Sequence, residues 1–203
     1  MNPELLGLLA HDLKNQLGLL EAELAELSQH PEAERAHAAH QHCAQLRQRL
    51  VAYLTLYAGD TRGLSAQLID ESPRDFLFSI QHMASRPDGA PLQLRPATGL
   101  PPFWYFDARL VRLALEAALH NAWRFARSCV WLGVQAQDAG LLFTVEDDGP
   151  GLGGADPQAP HATGLGMDLC AAVARAHRRE AVHGRVSLVP RVGGGMRFEL
   201  WLP

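Results

Sequence analysis

Two adjacent carboxylates followed by glycines form the first segment whose residue types could do chemistry. Asp147 and Asp148 stand at the end of an apolar, strand-like stretch, and Gly149 and Gly151 follow them in a turn. A carboxylate at a strand end can accept a hydrogen bond from an amino group such as the exocyclic amine of adenine. The glycines beyond it would let a flat ring lie against bare backbone. Asp-Asp-Gly is also a common turn, so this segment alone leaves a structural role open.

A second glycine turn follows about a dozen residues later. Gly164 and Gly166 precede an apolar, helix-like stretch from Met167 to Ala176. Backbone amides at a helix N-terminus suit phosphate, although Gly-x-Gly before a helix is often only a tight connection. In this order the two turns predict the adenine end and the phosphate end of one nucleotide pocket.

A histidine near the start of the chain is the third candidate. Residues 3–29 read as one long helix with an apolar stripe at three- and four-residue steps: Leu6, Leu9, Leu13, Leu17, Leu20, Leu24 and Leu27. At about 100° per residue, His11 and Asn15 fall on the face opposite the leucines. A neutral imidazole nitrogen is a good nucleophile for a phosphoryl group, and the adjacent Asp12 could orient the ring or take its proton. A plain surface histidine is the alternative.

The elements that must position the histidine form a helical hairpin. Pro31 ends the first helix, and a second helix is predicted from about Ala33 to Tyr57. Two antiparallel helices cannot bury both apolar stripes alone, so a homodimeric four-helix bundle is predicted. The second helix also carries His37, His40 and His42, whose spacing favours a solvated face over a metal site.

Polar residues 59–63 mark a change of composition, and we predict three parts: a hairpin over 1–58, a linker over 59–65 and a second domain over 66–203. In the second domain, Asp107 should cap a long helix, and hairpins are predicted around Asp138-Ala139-Gly140 and Gly193-Gly194-Gly195. Helices and strands in this alternation predict an α+β sandwich with helices on one face of a mixed sheet.

Composition excludes several classes of protein. The chain of 203 residues is 47% hydrophobic and 20% charged, which suits a packed core. Its formal net charge of −4 gives no electrostatic footprint for nucleic acid, and no basic helix points to a membrane surface. No apolar run reaches about 18 residues, and the start lacks a basic signal region, so we expect no membrane anchor. Cys43, Cys129 and Cys170 show no metal spacing and favour reduced thiols in the cytoplasm.

Taken together, these motifs make the chain resemble the transmitter region of sensor histidine kinases, a two-component signal transduction family. The segments that carry the resemblance are, in chain order, the phosphoacceptor box His11–Asn15, the asparagine box Leu115–Phe125, the glycine boxes Asp147–Gly151 and Gly164–Gly166, and the closing hairpin Gly193–Leu200 with Pro203. The resemblance implies a dimeric helical hairpin followed by an α/β sandwich of the histidine kinase ATPase (Bergerat, or GHKL) type.

The resemblance also implies roles for residues. His11 would be phosphorylated from Mg-ATP with help from Asp12, and the phosphoryl group would pass to an aspartate in the receiver domain of a response regulator. Asn15 completes an Asp-x-x-Asn pattern that in the family positions water for dephosphorylating the regulator.

In the second domain, the resemblance implies that Asn121 ligates Mg²⁺ at the phosphates and that Asp147 binds the adenine amine. Arg124 falls where the family usually has a lysine near the phosphates. The four glycines of the two boxes, Gly149, Gly151, Gly164 and Gly166, would shape the pocket. The cofactors implied are ATP and Mg²⁺.

Some residues depart from the family pattern. Ala117 replaces the first asparagine of its box, with Glu116 one position away, and the lid from Leu152 to Thr163 is short. His177-Arg178-Arg179 stands where a His-Gly-Gly turn is common. The leading hypothesis is a soluble cytoplasmic autokinase without a sensor domain. A dimeric phosphotransferase or scaffold with a degenerate nucleotide site is the alternative, and a serine-directed kinase of the anti-sigma-factor kind is the third class.

Overall fold

The computed structural model describes residues 3–62, 64–83, 90–151 and 165–203, and it leaves undescribed the side chains of residues 3–12, 45, 48, 49 and 56–62 in the first two helices. The chain divides into two compact units, Met1–Gly63 and Leu64–Pro203. Within the described residues, no helix is long and apolar enough to cross a membrane.

The first unit is a pair of helices, α1 (Pro3–Gln29) and α2 (Ala33–Arg62), as the leucine pattern predicted. The second helix is longer than expected, because the chain stays helical through residues 59–62, which were assigned to the linker. A glycine inside a helix costs only about 1 kcal/mol relative to alanine. Gly59 was therefore not sufficient to end the helix.

The two helices bury only part of their apolar surface against each other. Leu20 on α1 and Ala39, Ala52 and Tyr53 on α2 are buried. In contrast, four leucines of the predicted apolar stripes are 43–58% exposed in the single chain: Leu17, Leu24, Leu50 and Leu54. The apolar stripe thus extends beyond what one hairpin covers.

The histidines of α2 have separate partners. His42 turns towards α1, where its Nδ1 lies 3.1 Å from Glu23 Oε2 and its Nε2 lies 3.0 Å from Gln16 Oε1. His37 is instead 2.6 Å from Gln41 Nε2 on its own helix. Among the residues that the structure describes, no group of three or more His, Cys, Asp or Glu side chains could hold a metal ion.

The second unit is built on a mixed five-stranded sheet. Its strands are β2 (Leu92–Pro96), β4 (Val130–Gln137), β5 (Gly140–Asp147), β8 (Arg185–Pro190) and β9 (Met196–Leu202). They lie in the order β2-β4-β5-β9-β8, and β2 and β4 are parallel while the other neighbours are antiparallel. The tight β4–β5 turn matches the predicted hairpin, with Asp138 and Ala139 both at positive φ.

Three helices, α3 (Pro73–Met83), α4 (Ala108–Phe125) and α5 (Leu165–Ala176), pack against the sheet. Phe76 of α3 meets Phe143 of β5 edge-on at 5.8 Å, and both contact Phe106. Burial of these rings and of the apolar face of α4 accounts for the core, since aromatic side chains bury large areas. The predicted α+β sandwich is confirmed.

Two small sheets were not predicted as such. The strand β1 (Ile69–Glu71) pairs with the aromatic strand β3 (Trp104–Phe106) outside the main sheet, and β6 (Arg178–Arg179) pairs with β7 (Val182–His183). The latter hairpin occupies the place where the sequence departs from a His-Gly-Gly turn. Strands as short as β1, β6 and β7 carry too little periodicity to be recognised from sequence. The aromatic run Phe103–Phe106 does predict a short strand, which β3 confirms.

A buried histidine joins the ends of two helices. The carboxylate of Asp107 caps α4 by accepting hydrogen bonds from the backbone of Arg109 and Leu110, as predicted. The backbone N–H of Asp107 donates to Nε2 of His177 (3.0 Å), whose Nδ1 lies 2.8 Å from the carbonyl oxygen of Val173. His177 is only 1% exposed, and burial lowers its pKa, although Val173 and Asp107 oppose this. The geometry requires the neutral ring with the proton on Nδ1.

Candidate functional site

The end of β5 presents one buried carboxylate at the predicted adenine position. Asp147 is 5% exposed, and its Oδ1 accepts a hydrogen bond from the backbone N–H of Gly149 (2.8 Å). Burial raises the pKa of Asp147, and the neighbouring Asp148 adds to this. Hydrogen bonds from the backbone of Gly149 and Met196 and the charge of Arg191 act in the opposite direction. A carboxylate has about four acceptor sites on its two oxygens, so Asp147 can accept a further hydrogen bond from a ligand amine beside those from Gly149 and Met196.

The adjacent carboxylate has a different, structural role. Asp148 accepts hydrogen bonds from the backbone N–H groups of Arg127 (2.8 Å) and Ser128 (3.0 Å) and from the Ser128 hydroxyl. Burial would raise the pKa of Asp148, but these hydrogen bonds, together with one from Cys129, hold it well below its usual range. Asp148 therefore closes the turn between α4 and β4.

Two glycines beside Asp147 are required by close packing of the backbone. A Cβ at Gly149 would overlap the carbonyl oxygen of Phe125 and lie 2.8 Å from Asp147 Oδ1. Gly195 has φ +88°, and a Cβ there would overlap the carbonyl oxygen of Asp147. The sequence predicted that Gly149 leaves room for a flat ring of the ligand. In the structure, the carbonyl oxygen of Phe125 occupies the space that a side chain at Gly149 would need, so packing within the chain also requires glycine there.

The α4 helix brings Asn121 to the second glycine box. Asn121 is exposed, and its Nδ2 lies 3.5 Å from where a Cβ of Gly166 would stand. Gly166 is the second residue of α5, so the asparagine lies beside the N-terminal turn of that helix. Arg124 follows on α4, with Cζ 5.2 Å from the centroid of the Phe125 ring. The packing of α4 against α5 therefore brings two of the predicted phosphate-site residues, Asn121 and Gly166, together.

The remaining residues of this region are only partly described. Gly151 has φ +78° and follows the Asp147 turn. Gly164 and the lid from Leu152 to Thr163 lie outside the described residues. Ala117 is 5% exposed and packs into the core, so it offers no polar group where the family has asparagine. The side chain of Glu116 is partly exposed on the same helix.

The predicted phosphoacceptor residues lie on α1 in the first unit. The backbone at His11 and Asp12 is helical, and the side chains of these two residues lie outside the described part of the structure. Asn15 is exposed, while Leu20 points into the hairpin and is 7% exposed. Leu17 and Leu24 of the leucine stripe are also about half exposed in the single chain, so the position of Asn15 opposite the stripe stays a prediction.

Sequence reasoning missed a cluster behind the Asp147 turn. Glu146 lies 3.1 Å from Arg191 and 3.4 Å from Arg95, and both guanidinium groups stack on Trp131, with Cζ at 4.4 and 4.3 Å from the ring centroid. Glu146, Arg95 and Trp131 come from three separate strands, Arg191 comes from the loop after β8, and the four belong to no motif. The only sequence signal was an arginine two positions before Gly193.

Comparisons with known proteins agree with this geometry. Residues 106–203 match the family described as "Histidine kinase-, DNA gyrase B-, and HSP90-like ATPase". The sensor histidine kinase CpxA of Escherichia coli is 27% identical over 114 residues, which cover 49% of this chain and 24% of that protein. The match thus spans about a quarter of the length of this relative.

Solved structures share the fold. The histidine kinase AdeS of Acinetobacter baumannii has a TM-score of 0.69 at 18% identity, covering 95% of this chain and 96% of that one. The ATP binding domain of PrrB from Mycobacterium tuberculosis has a TM-score of 0.53 at 27% identity, covering 67% of this chain and 96% of that one. The second unit is thus an ATPase domain of the histidine kinase type. The chain as a whole is similar in sequence and fold to the transmitter regions of histidine kinases.

Proposed function

We propose that the chain is an ATP-dependent histidine autokinase of a two-component system. The observation that carries the proposal is the buried carboxylate of Asp147 at the end of β5, which the N–H of Gly149 orients. Such a group selects a ring that presents an amino hydrogen, as adenine does. This chemistry is the one expected in a domain of the matched ATPase family.

The phosphates and a magnesium ion would lie at the meeting of α4 and α5. The side chain of Asn121 is exposed beside the first turn of α5, and its amide group carries an oxygen that could serve as a hard ligand. Mg²⁺ usually keeps several waters and takes one or two protein ligands together with substrate phosphates, so a single asparagine fits this ion. The ion would neutralise phosphate charge, while Arg124 and the amides near Gly166 would hold the phosphate oxygens.

Phosphoryl transfer would start at His11. The bond between the γ-phosphorus and the oxygen of the ADP leaving group breaks as a bond forms to an imidazole nitrogen of His11, and the ring proton passes to Asp12. The phosphoryl group then moves to an aspartate carboxylate of a response regulator. When the regulator is dephosphorylated, Asn15 would orient the water that hydrolyses its acyl phosphate.

We further propose that the active form is a homodimer held by the first unit. The exposed leucines Leu17, Leu24, Leu50 and Leu54 lie on both helices of the hairpin, and a second copy would bury them in a four-helix bundle. We place the protein in the cytoplasm, where its free cysteines would remain reduced.

A dimeric phosphotransfer module with a weak nucleotide site is the second candidate. It is favoured by one observation: Ala117 is buried and apolar at the position where the family carries an amide on the nucleotide side of α4. Such a module would receive and pass on a phosphoryl group at His11 without using ATP itself.

Incubation with γ-labelled ATP and Mg²⁺ tests the two candidates. An autokinase gains label that is acid-labile and base-stable, as a phosphoramidate is, and His11→Gln loses it. The matched control is His30→Gln, which removes another exposed histidine from the same hairpin and should retain the label. Absence of label on the wild type, together with transfer from a phosphorylated regulator to His11, would favour the phosphotransfer module.

A further inference from the structure

Arg191, in the loop after β8, contacts both the sheet and the glycine turn next to the proposed nucleotide site. Arg191 forms an ion pair with Glu146 (Nε to Oε2, 3.1 Å), and its Nη1 donates to the carbonyl oxygen of Gly194 (3.2 Å). The backbone N–H of Arg191 donates to the carbonyl oxygen of Gly195 (3.0 Å), and Gly194 donates back to Arg191 (3.1 Å). The side chain and the backbone of Arg191 thus hold the same glycine turn.

That glycine turn lies directly against the backbone that carries Asp147. Gly195 approaches the Asp147 carbonyl so closely that no side chain would fit, and a Cβ at Gly194 would be 3.9 Å from the carbonyl oxygen of Gly149. The Asp147 carboxylate depends on the N–H of Gly149 for its orientation. A shift of the turn would therefore move both the carboxylate and the group that orients it.

The guanidinium of Arg191 is itself held in place. It stacks on Trp131 at 4.4 Å and is 23% exposed, while the Glu146 side chain that it pairs with is 14% exposed. A planar guanidinium that is stacked and paired loses little further freedom on contacting the turn. Arg191 thus connects the rigid sheet to a glycine-rich turn that has no side chains of its own to hold it.

We propose that Arg191 is a positioning residue for the nucleotide site, which acts by pinning the turn Gly193–Gly195 against the strand end that bears Asp147. This inference rests on the proposed nucleotide binding at Asp147. Arg191 does not contact the nucleotide in this proposal. It keeps Asp147 oriented and charged, so its loss should weaken nucleotide binding and make that binding more sensitive to acid.

The charged groups around Asp147 define the expected pH effect. Asp148 raises its pKa and Arg191 lowers it, in addition to the larger effect of burial and the hydrogen bonds from Gly149 and Met196. Without Arg191, less remains to counteract the increase in the Asp147 pKa that burial and the Asp148 charge cause. The pKa of Asp147 should rise, and the carboxylate should lose its charge at a higher pH than in the wild type.

The chain offers a matched control in Arg95. This residue also stacks on Trp131, with Cζ 4.3 Å from the ring centroid, and it pairs with the same Glu146 oxygen at 3.4 Å. Of the two arginines, Arg191 is the one whose charge is a leading influence on the pKa of Asp147. Arg95→Met and Arg191→Met therefore remove the same charge from the same cluster, and only the second releases the glycine turn.

Two measurements on the full chain test the proposal. The first is carbon-detected NMR titration of the Asp147 carboxyl without nucleotide, and the second is calorimetry of ADP binding between pH 5.5 and 8. Arg191→Met should raise the Asp147 midpoint and weaken ADP binding about five- to tenfold, with the larger loss at low pH. Arg95→Met should leave the midpoint unchanged and the affinity within about twofold. Arg191→Lys keeps the positive charge, so the titration midpoint of the Asp147 carboxyl should return to the wild-type value. This variant is also the one to measure if Arg191→Met does not fold.

The outcomes separate this inference from the proposed function. Equal effects of Arg191→Met and Arg95→Met on the midpoint, or no effect of either, overturn the role of Arg191. A wild type that binds no ADP overturns nucleotide binding and hence the role of Arg191 in it. In that case a midpoint raised only in Arg191→Met would still support the positioning of Asp147 by Arg191.

Discussion

Replacing Asp147 by asparagine tests the nucleotide site most directly. In Asp147→Asn the amide oxygen can still accept the N–H of Gly149, which the wild type binds at 2.8 Å. The amide NH₂ then takes the position of the second carboxylate oxygen and presents hydrogens to the hydrogens of the adenine amine. The variant thus loses a charge-assisted acceptor at a site that is 5% exposed, where water cannot substitute for it.

The expected loss follows from the strength of hydrogen bonds to charged groups. Such a bond contributes about 1.5–3 kcal/mol, so the dissociation constants for ATP and ADP should both rise about 10- to 150-fold. Burial raises the pKa of Asp147, and protonation removes the charged acceptor. Wild-type affinity should therefore decline as the pH falls towards that pKa, whereas the affinity of the variant should vary little over the same range.

Isothermal titration calorimetry with ADP measures both effects. The matched control is Asp138→Asn at the other end of the β4–β5 hairpin. Asp138 is exposed and has φ 52°, a conformation that asparagine tolerates. This control should bind ADP as the wild type does. The reasoning is refuted if Asp147→Asn retains wild-type affinity for ADP, or if both variants lose affinity equally.

Three further predictions concern the dimer, the buried histidine and the phosphoacceptor helix. Leu17→Glu should dissociate the dimer because it places a charge in the proposed bundle, whereas Leu19→Glu, on the face shared with Asn15, should not; light scattering showing two monomers or two dimers would contradict this. Burial lowers the pKa of His177, so the free energy of unfolding in urea should be highest above the unfolded-state pKa of about 6.5 and should fall as the pH drops towards the folded-state value. If His177→Gln loses stability with falling pH as steeply as the wild type, the pH dependence does not come from His177. His11→Gln should abolish autophosphorylation, and Asn15→Ala should leave it intact but slow dephosphorylation of a regulator, so equal loss of label in both variants would refute that division of roles.

The long elements of this fold were predictable because their patterns repeat. The leucines of α1 recur over many turns of helix, and the β4–β5 hairpin alternates strand character with a tight polar turn. The Asp107 cap was visible because a short acceptor side chain before an apolar helix satisfies its free backbone N–H groups. Short elements were different, since β1 and β6–β7 form only where tertiary neighbours hold them. The end of α2 was misplaced because one glycine weakens a helix less than the surrounding residues support it.

For the site, the sequence alone predicts which segments take part, because the two glycine boxes, the asparagine helix and the histidine helix each have a recognisable set of residue types. Only the family resemblance distinguished Asp147 from Asp148. Residue types did not, because adjacent residues on a strand end point to opposite sides and the packed fold decides which side is buried. The sequence could not assign Arg191 either. The contacts of Arg191 with Trp131 and Glu146 join residues 45 or more positions apart in the chain, and such contacts exist only once the strands are paired in register.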